Sequence, residues 1–104
     1  MEISRTEDTL IIKIIGDLDH HTAIDIRNKT DEEIEKQPPQ RLIFDLTAVN
    51  FMDSSGIGVI MGRYKKVTAY GGSVAFMGVN NCIDKLVQMS GLLRIIPEIM
   101  PNAG

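Results

Sequence analysis

Residues 51–66, FMDSSGIGVIMGRYKK, set Asp53, Ser54 and Ser55 directly before a run opened by glycines. The first turn of a helix carries N–H groups without partners, and a serine ahead of it can accept from one of them as a cap. Ser54 is the expected cap. Ser55 then falls at the first helical position with its hydroxyl directed outward, open to modification. A phosphate there adds about −1.5 to −2 charges, which a helix N-terminus tolerates, so the fold should survive it. Asp53 adjoins this serine, and Asp17 and Asp19 are expected near it in space. The nearest basic residue in sequence, Arg63, stands about two helical turns on, at roughly 5.4 Å per turn. With no arginine cluster evident to absorb it, the charge acts outward on any partner packed against this helix end. Stranding a charge in a contact costs several kcal/mol, and about 1.4 kcal/mol is tenfold in affinity, so release by about 100-fold or more is expected.

On a helical wheel Ser55 shares a side with Val59, Gly62 and Lys66, flanked by Gly58 and facing away from Ile57, Ile60 and Tyr64. A valine between two glycines predicts a flat, approachable docking surface.

The elements that position this stretch follow from hydrophobic spacing. Glu2 to Arg5 and Leu10 to Ile15 read as strands joined by a tight connection, and LIIKII, apolar on both faces, reads as a central strand ended by Gly16. From Asp19 the apolar spacing changes to threes and fours at Ala23, Ile26, Thr30 and Ile34, predicting an amphipathic helix that Pro38 and Pro39 stop. Arg41 to Leu46 is the next strand, followed by a short connection through Ala48 and Asn50. The helix opened by the serines has an expected inward stripe of Ile57, Ile60, Tyr64 and Val67 and stops at Gly71 and Gly72. Ser73 to Gly78 is a further strand. A third helix, capped by Asn80 or Asn81, turns Ile83, Leu86 and Val87 inward and ends at Gly91, and Ile95 and Ile96 suggest a last short strand. Strands alternating with helices require right-handed crossovers. The predicted fold class is α/β, one mixed sheet with a parallel core in the element order β-β-α-β-α-β-α-β, within a single domain over residues 1–104.

Composition narrows the function classes. A chain of 104 residues, 43% hydrophobic and 24% charged, is an ordinary globular balance with no room for a separate catalytic domain. Net charge of −3, from 11 basic and 14 acidic residues, lacks the positive field that nucleic acid demands. Cys82 is the one cysteine, so no internal disulfide and no thiolate pair for a metal is expected, and it reads as a small buried apolar residue. Met61, Met77 and Met89 read as core filler. No targeting segment or membrane span is visible, and the expected setting is the cytoplasm, with no cofactor and no membrane partner.

Three enzymatic or ligand-binding readings compete with a modified serine. Gly56, Gly58 and Gly62 imitate a dinucleotide loop, but the serines occupy the tight turn and SVAFMG offers no acidic residue for a ribose. Asp17, Asp19, Asp45 and Asp53 imitate the acidic pocket of a receiver phosphorylated on aspartate, yet Gly78, Val79 and Asn80 stand where its lysine belongs. A serine hydrolase would pair Ser55 with His20 or His21, but Asp-Ser-Ser-Gly lacks the glycine ahead of the nucleophile, and both histidines read as solvated helix-start residues.

GDLDHHTA at 16–23, FMDSSGIGVIMGRYK at 51–65 and MSGLLRII at 89–96 together resemble the anti-sigma factor antagonists, most closely the sporulation type, in order and spacing from Glu2 to Ile96. The resemblance implies the STAS fold and a non-enzymatic role. It implies that the unphosphorylated protein, a monomer when free, binds an ATP- or ADP-bound anti-sigma factor that is also a serine kinase, which frees the sigma factor for transcription. It further implies Ser55 as the phosphate acceptor and a metal-dependent serine/threonine phosphatase that restores the active form. It implies that Asp19 and Asp53 contribute to the partner surface, which together with the helical-wheel reading is expected to comprise Asp19, Asp53, Ser54, Ser55, Gly56, Gly58, Val59 and Gly62. Family members usually continue into a further helix where this chain stops at Met100, Pro101, Asn102, Ala103 and Gly104, so that helix is expected to be missing or reduced.

Overall fold

The computed structural model describes residues 1–99. Strand β1 (Glu2–Arg5) turns back antiparallel onto β2 (Thr9–Leu18), with the Thr6 N–H donating to the Thr9 carbonyl across the turn (2.9 Å). Helix α1 (His20–Lys36) carries the chain to β3 (Arg41–Met52), and α2 (Ser54–Ala69) carries it to β4 (Ser73–Met77). The sheet order is β1-β2-β3-β4, with β2, β3 and β4 mutually parallel. Helix α3 (Asp84–Ser90) and a short 3-10 turn (Leu92–Arg94) close the described chain.

One side of the sheet holds the core because strand side chains alternate. Leu10, Leu42 and Val74 are in register across the parallel strands, as are Ile12, Phe44 and Phe76, and all six are buried. Successive crossovers of one hand lay α1 and α2 side by side over these rows. Ala23, Ile26, Thr30 and Ile34 are the buried residues of α1, as the spacing of threes and fours requires. Arg5 ties the far end of α1 to the sheet edge by donating to the Glu33 and Gln37 carbonyls, both at 2.8 Å, where a helix end favours positive charge.

Several boundaries move from their sequence-predicted places. Gly16 does not end β2: it adopts φ 87° at an irregularity in the β2–β3 register, and pairing resumes through Leu18. β3 likewise runs through Ala48 and Asn50 to Met52. Asn80 supports that extension, its side-chain amide donating to the Val49 carbonyl (2.8 Å) and the Thr47 carbonyl (3.2 Å). Asn80 therefore opens a turn, and α3 begins later, after Ile83, with no side-chain cap. The central strand is apolar on both faces but covered fully on one, for Ile15 is exposed while Leu10, Ile12 and Ile14 are buried. Ile95 and Ile96 form no strand; the final pairing is a single bridge between Phe76 and Glu98, beyond Pro97. Cys82 is exposed, and Met89 is 76% exposed, so neither fills the core. The expectation about the final helix falls on residues 100–104, outside the described ones.

Candidate functional site

The site is built where two parallel strands deliver two helices side by side. Leu18 and Met52 are register partners at the ends of β2 and β3, so Asp19 and Asp53, the next residues, stand next to each other at the helix starts. Their backbones are nearly identical, φ −119° and ψ −172° at Asp19 against φ −120° and ψ −170° at Asp53. Each is an N-cap. Asp19 Oδ1 accepts from the His21 N–H (2.9 Å) and the Thr22 N–H (3.1 Å), while the Thr22 hydroxyl accepts from the Asp19 N–H (3.0 Å), a reciprocal capping box. The bond from the Thr22 amide, with further help from His21, holds the Asp19 carboxyl below its ordinary value.

On α2 the cap is Asp53, not Ser54. Asp53 Oδ1 accepts from the Ser55 N–H at 2.8 Å, which moves Ser54 to the first helical position and Ser55 to the second. A carboxylate concentrates more charge on the accepting oxygen than a hydroxyl does, and it gains more from the positive helix end. Ser54 is exposed and Ser55 half-buried. Among the described residues the Ser55 hydroxyl makes no hydrogen bond, although its own amide is fixed.

Helix α2 is also rolled relative to the predicted wheel. Its buried residues are Gly56, Val59, Ile60, Arg63 and Val67, while Ile57 and Tyr64 only flank the core. Gly56 explains the roll. A Cβ there would lie 2.7 Å from Met52 Cγ and 2.9 Å from the Leu18 carbonyl oxygen, so only glycine lets the first turn sit this close to the strand ends. The side bearing Ser55, Val59 and Lys66 consequently turns toward α1 instead of solvent. Val59 is 6% exposed and belongs to the core, so the expected open valine surface does not exist; Gly58 is exposed and Gly62 half-buried. The α1–α2 seam is fastened by charge: Arg63 Nε lies 2.9 Å from Asp31 Oδ1, and Lys66 Nζ lies 2.6 Å from Glu35 Oε1.

At the capped end of this seam the helices part around a cleft of about 380 Å³, lined by His20, Ala23, Ile24 and Arg27 from α1 and by Ser55, Gly58, Val59 and Arg63 from α2. Sequence reading missed Arg27 as a neighbour of Ser55 and set His20 beside it only in the hydrolase alternative, because their nearness depends on two helices packing in parallel; His20 is exposed, as a helix-start residue was expected to be. It also placed Arg63 too far away to matter. The Arg63 side chain folds back along α2, Nη1 donating to the Val59 carbonyl (3.3 Å), and so reaches the cleft that Ser55 lines.

The rival chemistries lack their geometry. Gly56 faces the strands while Gly58 faces outward, so the glycines do not form one cradle. Asp19 and Asp53 are committed to caps and Asp45 to the Thr47 hydroxyl (2.5 Å), and among the described residues no three metal-binding side chains converge. His20 shares the cleft with Ser55, but the Asp19 carboxylate serves backbone amides and does not orient an imidazole.

The sequence matches the STAS domain family over residues 1–103. It is 40% identical over 97 residues to the anti-sigma F factor antagonist of Paenibacillus polymyxa, covering 93% of this chain and 83% of that protein. It is 34% identical to the anti-sigma F factor antagonist of Lysinibacillus sphaericus, covering 84% of this chain and 74% of that one. Among solved structures, the anti-sigma factor antagonist SpoIIAA in its unphosphorylated form superposes with a TM-score of 0.85 at 28% identity, over 98% of this chain and 88% of that one. SpoIIAA from Bacillus in its phosphorylated form superposes with a TM-score of 0.76 at 28% identity, over 98% and 91%.

Proposed function

This chain belongs to the STAS domain family, and we propose that it acts as an anti-sigma factor antagonist of the sporulation type whose partner contact is cancelled by phosphate on Ser55. The relatives named for antagonising anti-sigma F support the regulatory role. The observation that carries the finer reading is the state of Ser55: its amide is locked by Asp53, while its hydroxyl lines an open cleft and makes no hydrogen bond among the described residues. That hydroxyl is presented without being spent on the fold.

In the unphosphorylated form the helix start, with Asp19 and Asp53 at its base and Ser54, Ser55 and Gly58 at its rim, receives an anti-sigma factor that is also a serine kinase, and the sigma factor is released. In the kinase the Ser55 oxygen attacks the terminal phosphorus of ATP, a new O–P bond forms as the bond to ADP breaks, and the hydroxyl proton leaves. A metal-dependent serine/threonine phosphatase reverses this by directing water onto phosphorus, returning the hydroxyl and free phosphate. Gly56 and Val59 support this surface from behind and do not touch the partner, and Gly62 lies farther along the helix. SpoIIAA, which shares this fold, exists in both phosphorylated and unphosphorylated forms, which supports the compatibility of such a fold with the modification.

The test is labelled phosphate transfer from ATP by the anti-sigma factor kinase of the same cell to wild type, Ser54→Ala and Ser55→Ala. Incorporation is expected in the first two and lost in the third; incorporation that persists in Ser55→Ala and vanishes in Ser54→Ala would move the acceptor by one residue and overturn the reading.

A further inference from the structure

We propose that the cleft between α1 and α2 is a built-in receptor for the phosphate of phospho-Ser55, with Arg27 as its clasp and Arg63 at its inner wall. The proposal rests on Ser55 being the modified residue and goes on to say what this chain does with the phosphate once it is attached.

Two helices that start side by side and run parallel bring their corresponding turns level. His20, in the first turn of α1, lines the cleft with Ser55, and Arg27 and Arg63 are the next basic residues down its two walls. Helix side chains tend to lean toward the N-terminus, which is the direction of the serine, and the Arg63 guanidinium folds back along α2 with Nη1 donating to the Val59 carbonyl (3.3 Å). The two guanidinium groups feel each other: after burial, which lowers the Arg63 pKa most, the charge on Arg27 lowers it further, while Asp31 opposes both. Asp31 is already shared between Arg63 (2.9 Å) and Lys66 (3.8 Å). Arg27 itself enters no salt bridge among the described residues.

An unmodified Ser55 leaves this positive cleft without an anion. A phosphate monoester can offer two of its terminal oxygens to the planar arginine fork in bidentate contact, and it adds the negative charge that both helix starts favour. The groups facing it would be His20 and Arg27 from α1 and Arg63 from α2, with the cap carboxylates of Asp19 and Asp53 behind and Asp31 on Arg63. Held there, the dianion fills the cleft as well as charging its rim, and a partner side chain that enters the empty cleft is displaced.

The experiment installs phosphoserine at position 55 by genetic encoding, so no kinase is needed, and follows its phosphorus resonance against pH. The second pKa of a free phosphoserine is about 6, and the folded protein should hold it lower by about half a unit or more. Arg27→Ala should return at least half of that shift, whereas Lys29→Ala, which removes the same charge from a lysine on α1 paired with Asp25 at 3.3 Å, should not. A phosphate that titrates as in a free peptide, or one that Arg27→Ala and Lys29→Ala move equally, would overturn the receptor. Failure of the kinase to label Ser55 would instead sink the functional reading and leave this measurement standing.

Discussion

At the scale of single residues the site depends on two aspartates doing the same work. Asp19 and Asp53 use their carboxylates to fasten the first turns of α1 and α2, and that is what frees Ser55. Replacing Asp53 by alanine removes an N-cap, which typically costs about 1 kcal/mol, and urea unfolding should register that loss. Asp19 adds a pH signature. Its folded carboxyl titrates below the ordinary 3.8 through the Thr22 amide, so its contribution is present above that value and is lost as pH falls through the lower, folded one. Asp19→Asn keeps an accepting oxygen but cannot titrate. The gap in urea midpoint between wild type and Asp19→Asn should therefore narrow between about pH 5 and pH 2; a gap that widens on acidification would contradict the cap assignment. Three consecutive residues here can each cap a helix, which is why sequence alone chose Ser54 over Asp53.

At the scale of elements the decisive feature is how α2 lies against the strand ends and against α1. Gly56→Ala forces a methyl group into the Leu18 carbonyl and the Met52 side chain, so either the helix start lifts or the strand ends shift. Overpacking of this kind costs typically about 1–3 kcal/mol, which chemical denaturation should show, and it should weaken partner binding by displacing Ser55. The Arg63–Asp31 pair fastens the seam between the helices. Arg63 is 8% exposed, so Arg63→Ala should destabilise the fold by roughly 1–3 kcal/mol, with the double replacement Asp31→Asn and Arg63→Met recovering part of it. The stripe of α1 was legible in the sequence because one helical face meets one sheet, and spacing encodes that. The roll of α2 was not, because it is set by Gly56 meeting Leu18, a contact between residues far apart in the chain. The same limit hid Arg27: nothing local tells that α1 and α2 begin side by side. Val59 was misplaced for this reason, since its side of the helix looks solvent-exposed until α1 covers it.

At the scale of the whole molecule the fold is a platform that brings two helix starts together at the C-terminal ends of the parallel strands β2 and β3 and keeps them there. The α/β class and its β-β-α-β-α-β-α opening order were readable from alternating periods, while the last strand shrinks to one bridge at Glu98. Modification of Ser55 should leave this platform intact. Backbone amide resonances of β2, β3 and β4 should move little between the two forms, with changes confined to the parts of α1 and α2 that line the cleft. One phosphate on Ser55 should separate this protein from its anti-sigma factor without unfolding either. Calorimetric titration of the purified anti-sigma factor kinase with the unmodified protein, and with protein carrying phosphoserine at position 55, measures that separation. An affinity loss of about 100-fold or more on phosphorylation, equivalent to about 2.7 kcal/mol, is the predicted result. Equal affinity for the two forms would contradict it.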